Sequence, residues 1–234
     1  MDPGSDSSPP DRPDGRAALR RRVVAFSWLL IGLLVAYALI IATSGRLLGS
    51  VARILALAVV LFAALRVRHV SRGRTDAVGV IAVAAVVMTA TASVFAGGEL
   101  LAVLTAATTI ILVAVAGSLV IHSLMANARV DLATVLGVLC IYLLIALVFS
   151  SAHELGGAFL TGYFEGAHRP PTAGDCLYYS VITITTVGIG DISPGTNLAR
   201  MVTVLEALVG QLYIVSVVAA VVGRWRRGTS NGGA

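Results

Sequence analysis

Six apolar runs, each close to the length that crosses a lipid bilayer, limit how this chain can fold. A spanning α-helix needs about 20 apolar residues, and its backbone hydrogen bonds must be satisfied within the segment. The chain of 234 residues is 57% hydrophobic and only 12% charged, whereas about a quarter of an average soluble domain is charged. The sequence therefore predicts an all-α membrane protein with six transmembrane helices, at Val23–Thr43, Val51–Val67, Ala77–Ala96, Leu100–Ile121, Leu132–Ala152 and Ala199–Val222.

A short segment between the last two runs has the composition of an ion-binding loop. Residues 185–191 read Thr-Thr-Val-Gly-Ile-Gly-Asp and follow an amphiphilic stretch, 175–185, of the length of a short helix. Rings of backbone carbonyl oxygens from several copies of such a loop can replace the water shell of a potassium ion. Gly188 and Gly190 tolerate the positive φ angles that turn successive carbonyl groups toward one axis. The hydroxyl group of Thr186 would add a further ring of oxygen atoms.

The order of helix, short helix, Thr-Val-Gly-Ile-Gly-Asp loop and helix resembles the pore domain of the potassium-channel family, over about residues 132–225. The resemblance implies a re-entrant pore helix and a selectivity-filter loop. It implies that the permeant potassium ion, with no other cofactor, is bound by Thr186, Val187, Gly188 and Ile189. It also implies that the filter is supported by Gly190, Asp191, Tyr178 and Tyr179, the two tyrosines forming an aromatic cuff or, alternatively, anchors at the membrane interface. Ile189 departs from the family, which usually has Tyr or Phe there.

The chain divides into four parts on this interpretation. Residues 1-22 are rich in Pro, Asp, Ser and Arg, and we expect a disordered cytoplasmic tail. Residues 23-122 form a four-helix transmembrane module and residues 132-225 the pore domain. Residues 226-234 form a short cytoplasmic tail, which is too small for a ligand-binding cytoplasmic domain.

Arginine counts predict the orientation of the chain. With both termini in the cytoplasm, 13 of the 17 basic residues lie on the inner side and the remaining four lie outside, in line with the positive-inside rule. The sequence therefore predicts a multi-pass protein of the cell (plasma) membrane. Its predicted orientation places the Asp191 end of the loop outside.

The fourth run has no charged residue, although six spans with a pore between the last two are the arrangement of voltage-gated channels. Moving one elementary charge through 100 mV is worth about 2.3 kcal/mol, and steep gating needs several charges in each subunit. The four-helix module is therefore predicted to lack a voltage sensor. Its hydroxyl groups at Thr105, Thr108 and Thr109 are expected to bond to their own helix or to a neighbouring one.

Two residues in the last run have their own interpretations. Glu206 is an ionisable residue inside the membrane, where insertion costs about 2.5–3.5 kcal/mol. We expect it behind the filter, bonded to pore-helix or filter groups, with direct ion binding as the alternative. Gly210 lies where similar channels have a gating hinge, and close helix packing explains a glycine there equally well.

The stretch 151–174 is predicted to form a Gly-rich outer turret. His153 and Glu154 are expected to be solvated charges of this turret, with proton sensing by a histidine as the alternative. Two adjacent residues cannot form a metal site alone, and Cys140 and Cys176 have no metal-ligand spacing.

These features predict a potassium-selective channel rather than an enzyme, with membrane lipid and three further copies of the chain as partners. A homotetramer is expected because one chain supplies one filter segment. The net charge of +5 is explained by arginines beside the spans, so nucleic acid is not expected as a partner. The alternatives are a weakly selective cation channel, because of Ile189, and a non-conducting membrane scaffold or sensor.

Overall fold

The computed structural model of the protein describes residues 15–43, 99–125, 131–168 and 170–230. These residues form, in chain order, α1 (Gly15–Ala42), α2 (Glu99–Met125), α3 (Leu132–Phe159), β1 (Phe164–Glu165), α4 (Ala173–Ile184), β2 (Ser193–Pro194) and α5 (Asn197–Ser230). Within this part, the segments long and apolar enough to cross a membrane are Leu19–Ala42, Val103–His122, Leu132–Phe159 and Asn197–Ala220. The chain is thus a mostly helical, multi-pass membrane protein. The predicted spans Val51–Val67 and Ala77–Ala96 lie outside the described residues.

Helix ends differ from the predicted boundaries in three places. The first helix begins at Gly15, so the prediction of a disordered tail is wrong for residues 15–22, where Ala, Leu and Arg are strong helix formers. The helix α3 continues to Phe159 instead of ending at Ala152. The helix α5 runs to Ser230, so part of the predicted C-terminal tail, 226–230, is helical. The all-α prediction also omitted β1 and β2, which pair antiparallel.

The helix α1 runs parallel to α3. Near the start of both helices, Arg22 Nη1 lies 3.2 Å from Asp131 Oδ2, and Asp131 also caps α3 by accepting a hydrogen bond from the Thr134 backbone N–H. Farther along, the Tyr37 hydroxyl donates to the Leu143 carbonyl oxygen at 2.5 Å. At the other end of α1, the backbone of Ile40 passes so close to Gly174 that a Cβ there would lie 3.4 Å from the Ile40 oxygen. The helix α1 therefore reaches the start of α4.

The helix α2 runs antiparallel to α3. A Cβ at Gly137, near the start of α3, would lie 2.9 Å from Leu124 Cδ2 near the end of α2. In the middle of α2, the Thr109 hydroxyl donates to the Thr105 carbonyl oxygen at 2.8 Å, which confirms the expected bond to its own helix. The Thr108 hydroxyl is buried and has no hydrogen-bond partner within the part of the chain that the structure describes.

Tyrosine side chains join α3 to α4 and α5. The Tyr142 hydroxyl donates to the carbonyl oxygen of Ile184, the last residue of α4, at 2.5 Å. The Tyr213 hydroxyl on α5 donates to the Val138 carbonyl oxygen at 2.7 Å, and the Tyr142 and Tyr213 rings stack with centroids 5.8 Å apart. These contacts hold the end of α4, and the loop that follows it, between α3 and α5.

Candidate ion-conduction site

The segment after α4 has the alternating backbone geometry expected of an ion-binding loop. Positive φ angles occur at every second residue, with 60° at Thr186, 53° at Gly188 and 83° at Gly190. The positive φ at the two glycines was predicted from their lack of a Cβ atom. The positive φ at Thr186 was not, because a side chain makes this conformation unfavourable, and strained residues of this kind cluster at functional sites.

Hydrogen bonds to the end of α4 fix the start of the loop. The Thr186 backbone N–H donates to the Thr183 carbonyl oxygen at 3.0 Å, and the N–H groups of Val187 and Gly188 both donate to the Ile182 carbonyl oxygen, at 2.9 and 3.0 Å. The loop backbone is therefore held from the helix side through its amide groups. Uncharged carbonyl oxygens are the ligands that suit a potassium ion.

The loop is exposed in the single chain. The side chains of Val187 and Ile189 are 61% and 62% exposed, and residues 185–191 are all exposed. The four predicted potassium-binding residues thus lie together on one open segment. Within the described residues, the Ile189 side chain is left largely uncovered.

Asp191 ties the outer end of the loop to α4. The Tyr178 hydroxyl donates to Asp191 Oδ2 at 2.8 Å, and this hydrogen bond raises the pKa of the Tyr178 phenol. Asp191 Oδ1 accepts a hydrogen bond from the Ile192 backbone N–H at 3.1 Å. The Asp191 carbonyl group lies against Gly166, where a Cβ would overlap its oxygen atom. The structure therefore brings together two of the residues expected to support the filter.

Tyr179 contacts a different set of residues from Tyr178. Its hydroxyl lies 2.8 Å from the Thr203 hydroxyl on α5, and Thr203 itself donates to the Ala199 carbonyl oxygen, so Tyr179 is the donor. Its ring packs on Phe164, at a centroid distance of 4.5 Å, and at right angles to His153, at 5.1 Å. The two tyrosines thus link α4 to two different elements, and their role as an aromatic cuff or as interface anchors stays a prediction.

Glu206 is fully buried, and its partner is a residue of α3. Glu206 Oε2 lies 3.0 Å from His153 Nε2, with neither side chain exposed. We expected bonds to pore-helix or filter groups. Ser180 of α4 lies beside the carboxyl group, but its hydroxyl oxygen and Glu206 Oε1 have no hydrogen-bond partner within the described residues.

The prediction that His153 is a solvated turret charge is wrong. The helix α3 continues past Ala152, which carries His153 into the protein, where its Nδ1 lies 3.0 Å from the Tyr163 hydroxyl. One signal in the sequence pointed to such a residue. A carboxyl group buried in a membrane protein needs a partner that can share a proton or donate a hydrogen bond, and a histidine that directly follows an apolar run is a suitable one.

Gly210 packs against the end of α4. A Cβ at this position would lie 2.5 Å from Ile184 Cγ1 and 3.1 Å from the Ile184 carbonyl oxygen. Close packing is thus sufficient to explain the glycine, and its role as a hinge stays a prediction.

The start of α4 is fixed by a capping box. The Thr172 hydroxyl accepts from the Asp175 backbone N–H, and Asp175 Oδ2 accepts from the Thr172 backbone N–H at 2.9 Å. The exposed His168 ring also contacts Asp175 Oδ2, at 2.9 Å. Partial burial acts to raise the pKa of Asp175, but the hydrogen bonds from Thr172 and His168 outweigh it and lower that pKa. The ionised carboxylate also suits the positive end of the helix dipole.

Comparison with known proteins links this region to ion channels. Residues 137–226 match the family described as "Ion channel". Over 80 residues, the chain is 40% identical to the "Probable potassium channel protein 2" of Methanocaldococcus jannaschii, a match that covers 33% of this chain and 22% of that protein. The similarity therefore concerns about a fifth of the length of that relative. The segment that contains most of α3, all of α4, the loop and most of α5 is similar to the ion-channel family.

Proposed function

We propose that the chain is one subunit of a potassium-selective channel of the cell membrane, through which potassium moves passively. The observation that carries the proposal is the loop 185–191, whose positive φ angles fall at every second residue. Four copies of this loop would surround one axis with carbonyl oxygens from Thr186, Val187, Gly188 and Ile189. The similarity of residues 137–226 to ion channels supports the same function.

The exposure of α5 supports a homotetramer. Only 11% of its apolar span is buried within the single chain, and large apolar side chains lie exposed along it, namely Leu205, Leu208, Leu212, Val215 and Val218. Such a face needs lipid or other copies of the chain to cover it. Since one loop provides oxygens on one side of an ion, the assembly that completes the site has α5 helices around the pore.

The packing of α1 supports a six-span topology. Because α1 is parallel to α3 and α2 is antiparallel to α3, α1 ends on the side of the membrane where α2 begins. An even number of crossings between α1 and α2 fits this packing, and the two apolar runs that the sequence has between these helices match that number. The arginine distribution, taken with this arrangement, supports the proposal that both termini lie in the cytoplasm.

A weakly selective cation channel is the second candidate, because of Ile189. This residue has no side-chain group that can form a hydrogen bond, and within the chain its side chain is exposed. A loop that is less firmly held would select less strongly between potassium and sodium, if selectivity depends on the geometry of its carbonyl groups.

A pair of glycine variants in liposomes tests the proposed function. Gly188 and Gly162 both have positive φ, and a Cβ at either would meet no atom within 4 Å. Alanine should therefore strain the backbone similarly at both positions, but only Gly188 belongs to the loop. Gly188→Ala should abolish or strongly reduce potassium flux, whereas Gly162→Ala should retain it. Equal flux through both variants would show that the loop does not conduct.

A further inference from the structure

Three buried polar side chains from three elements form a cluster behind the loop. His153 belongs to α3, Tyr163 to the connection before β1 and Glu206 to α5, and each is at most 1% exposed. His153 lies between the other two, with Nδ1 3.0 Å from the Tyr163 hydroxyl and Nε2 3.0 Å from Glu206 Oε2. The proposed function needs none of these side chains for its carbonyl chemistry.

Hydrogen-bond chemistry fixes where the protons of this cluster lie in the state with a neutral His153 and an ionised Glu206. An ionised carboxylate can only accept, so Nε2 must carry the proton that His153 shares with Glu206. The nitrogen Nδ1 is then an acceptor, and the Tyr163 hydroxyl donates to it. In this row of hydrogen bonds from Tyr163 through His153 to Glu206, every proton has an acceptor, and the cluster carries one negative charge.

One more proton would disrupt this order. An imidazolium donates from both nitrogens, so the Tyr163 hydroxyl would have to accept from Nδ1. Its own proton would then have no acceptor, because His153 is the one hydrogen-bond partner that the described residues offer this hydroxyl. A buried donor without a partner is unfavourable, so the added proton would weaken the bond that holds Tyr163.

Besides His153 and Glu206, the titratable groups around the cluster are uncharged near neutral pH. The other titratable residues close enough to interact electrostatically with Glu206 or Tyr163 are Tyr37 of α1, Tyr142 of α3, and Cys176 and Tyr179 of α4. Phenol and thiol groups are uncharged at neutral pH. Within the described residues, no arginine contacts the cluster. Imidazole is the side chain that ordinarily changes charge in the physiological range.

Tyr163 connects the cluster to the outer end of the loop. The Gly195 backbone N–H donates to the Tyr163 carbonyl oxygen at 2.9 Å, and the next residue, Phe164, pairs with Pro194 in the β1–β2 pair. Residues 193–195 follow Asp191 after one intervening residue, Ile192. On the other side, Glu206 lies beside Ser180 of α4, the helix that holds the start of the loop. The cluster thus contacts the elements at both ends of the loop.

We propose that His153, Glu206 and Tyr163 form a proton-binding site that positions the selectivity loop, and that binding of a proton loosens the loop. This inference rests on the proposed channel function. His153 and Tyr163 act as positioning residues, since they contact no residue of the loop itself. Acid should therefore lower the preference for potassium over sodium.

Flux measurements at different pH values test the site. Purified wild-type protein in liposomes should lose about fivefold in its potassium-to-sodium flux ratio between about pH 8 and about pH 5, which corresponds to about 1 kcal/mol, the net value of one hydrogen bond. His153→Gln can still donate to Glu206 but cannot take up a proton, so its ratio should not change with pH. Tyr163→Phe lacks the hydroxyl that would have to change from hydrogen-bond donor to acceptor. Its potassium-to-sodium flux ratio should therefore also change little with pH.

His168→Gln is the matched control, since His168 is an exposed histidine that contacts Asp175 instead of the cluster. It should keep the wild-type pH profile. A pH profile of His153→Gln as steep as that of the wild type would overturn the proposal, as would a flat profile for His168→Gln.

Nuclear magnetic resonance of histidine-labelled wild-type protein tests the site without any flux, because the chain has only four histidines. The His153 signal, assigned with His153→Gln, should show a proton on Nε2 alone at about pH 8 and on both nitrogens at about pH 5. A ring that keeps one proton throughout, or two throughout, would contradict the proton-binding site even if the channel conducts. Lack of potassium flux at every pH would instead contradict the channel function, while the resonance result would still decide the proton site.

Discussion

The variant Gly210→Ala distinguishes two reasons for a glycine at this position, namely close packing against α4 and motion as a gating hinge. The new Cβ would lie 2.5 Å from Ile184 Cγ1 and 3.1 Å from the Ile184 carbonyl oxygen. Neither atom can move away easily. Cγ1 is close to the main chain of Ile184, whose side chain is fully buried. The Ile184 carbonyl oxygen accepts the hydrogen bond from Tyr142. The helices α4 and α5 would have to separate by several tenths of an ångström.

Two effects of opposite sign determine how much Gly210→Ala changes the free energy of unfolding. Alanine in place of a helical glycine stabilises a helix by up to about 1 kcal/mol, whereas overpacking of a well-packed contact costs about 1–3 kcal/mol. Overpacking wins, so Gly210→Ala should lower the free energy of unfolding by up to about 2 kcal/mol per chain. Gly117 of α2 is the matched control, because a Cβ there meets no atom within 4 Å. Gly117→Ala should be neutral or stabilising.

Denaturant unfolding of both variants in detergent, followed by circular dichroism, measures the difference. A double-mutant cycle with Ile184→Ala, which removes Cγ1, should show favourable coupling of about 0.5–3 kcal/mol between positions 184 and 210. If Gly210→Ala were as stable as Gly117→Ala and lost only the ability to open, the packing explanation would be refuted and the hinge favoured.

Three further predictions concern the carboxyl groups and the response to voltage. Glu206→Gln should retain more stability and flux than Glu206→Leu. Gln can still accept a hydrogen bond from His153, whereas Leu leaves that buried donor unpaired at a cost of about 1–3 kcal/mol. Equal, unimpaired flux through both variants would show that Glu206 does not support the loop. Asp175→Ala, which removes the acceptor of the Thr172 backbone N–H, should destabilise the start of α4 by about 0.5–1.5 kcal/mol in thermal unfolding at neutral pH. Because the pKa of Asp175 is lowered from 3.8, the wild type keeps the part of this contribution that depends on charge above that value and loses it only as the pH falls through the lower folded-state pKa; no loss in Asp175→Ala would contradict the capping role. Opening should change little between about −100 and about +100 mV, because α2 carries no arginine or lysine to move in the field; a steep activation curve in single-channel records would disprove this.

The loop and α4 could be predicted from sequence because their constraints are local. Gly188 and Gly190 have the positive φ angles that a side chain makes unfavourable, and the amphiphilic run 175–185, with the resemblance to the channel pore domain, predicted α4 to within a few residues. The burial of Glu206 followed from its position in an apolar run, since a membrane offers a carboxyl group no water.

The turret and the partner of Glu206 could not be predicted, because they depend on tertiary contacts. Gly156 and Gly157 looked like loop residues, but α3 continues through them. A side chain at Gly156 would overlap the Tyr163 ring, and one at Gly157 would overlap Pro171. These glycines are therefore packing sites that let the connection fold back over α3. That fold brings Tyr163 to His153, a contact that no spacing in the sequence reveals.

The ion preference of the purified protein tests the central claim most directly. A planar bilayer with potassium on one side and sodium on the other gives the permeability ratio from the reversal potential. Potassium should be preferred at least about tenfold, which corresponds to about 1.4 kcal/mol of difference between the two ions, and Gly188→Ala should lose the current. A channel that passes sodium as readily as potassium at high potassium concentration would show that the loop does not act as a potassium filter.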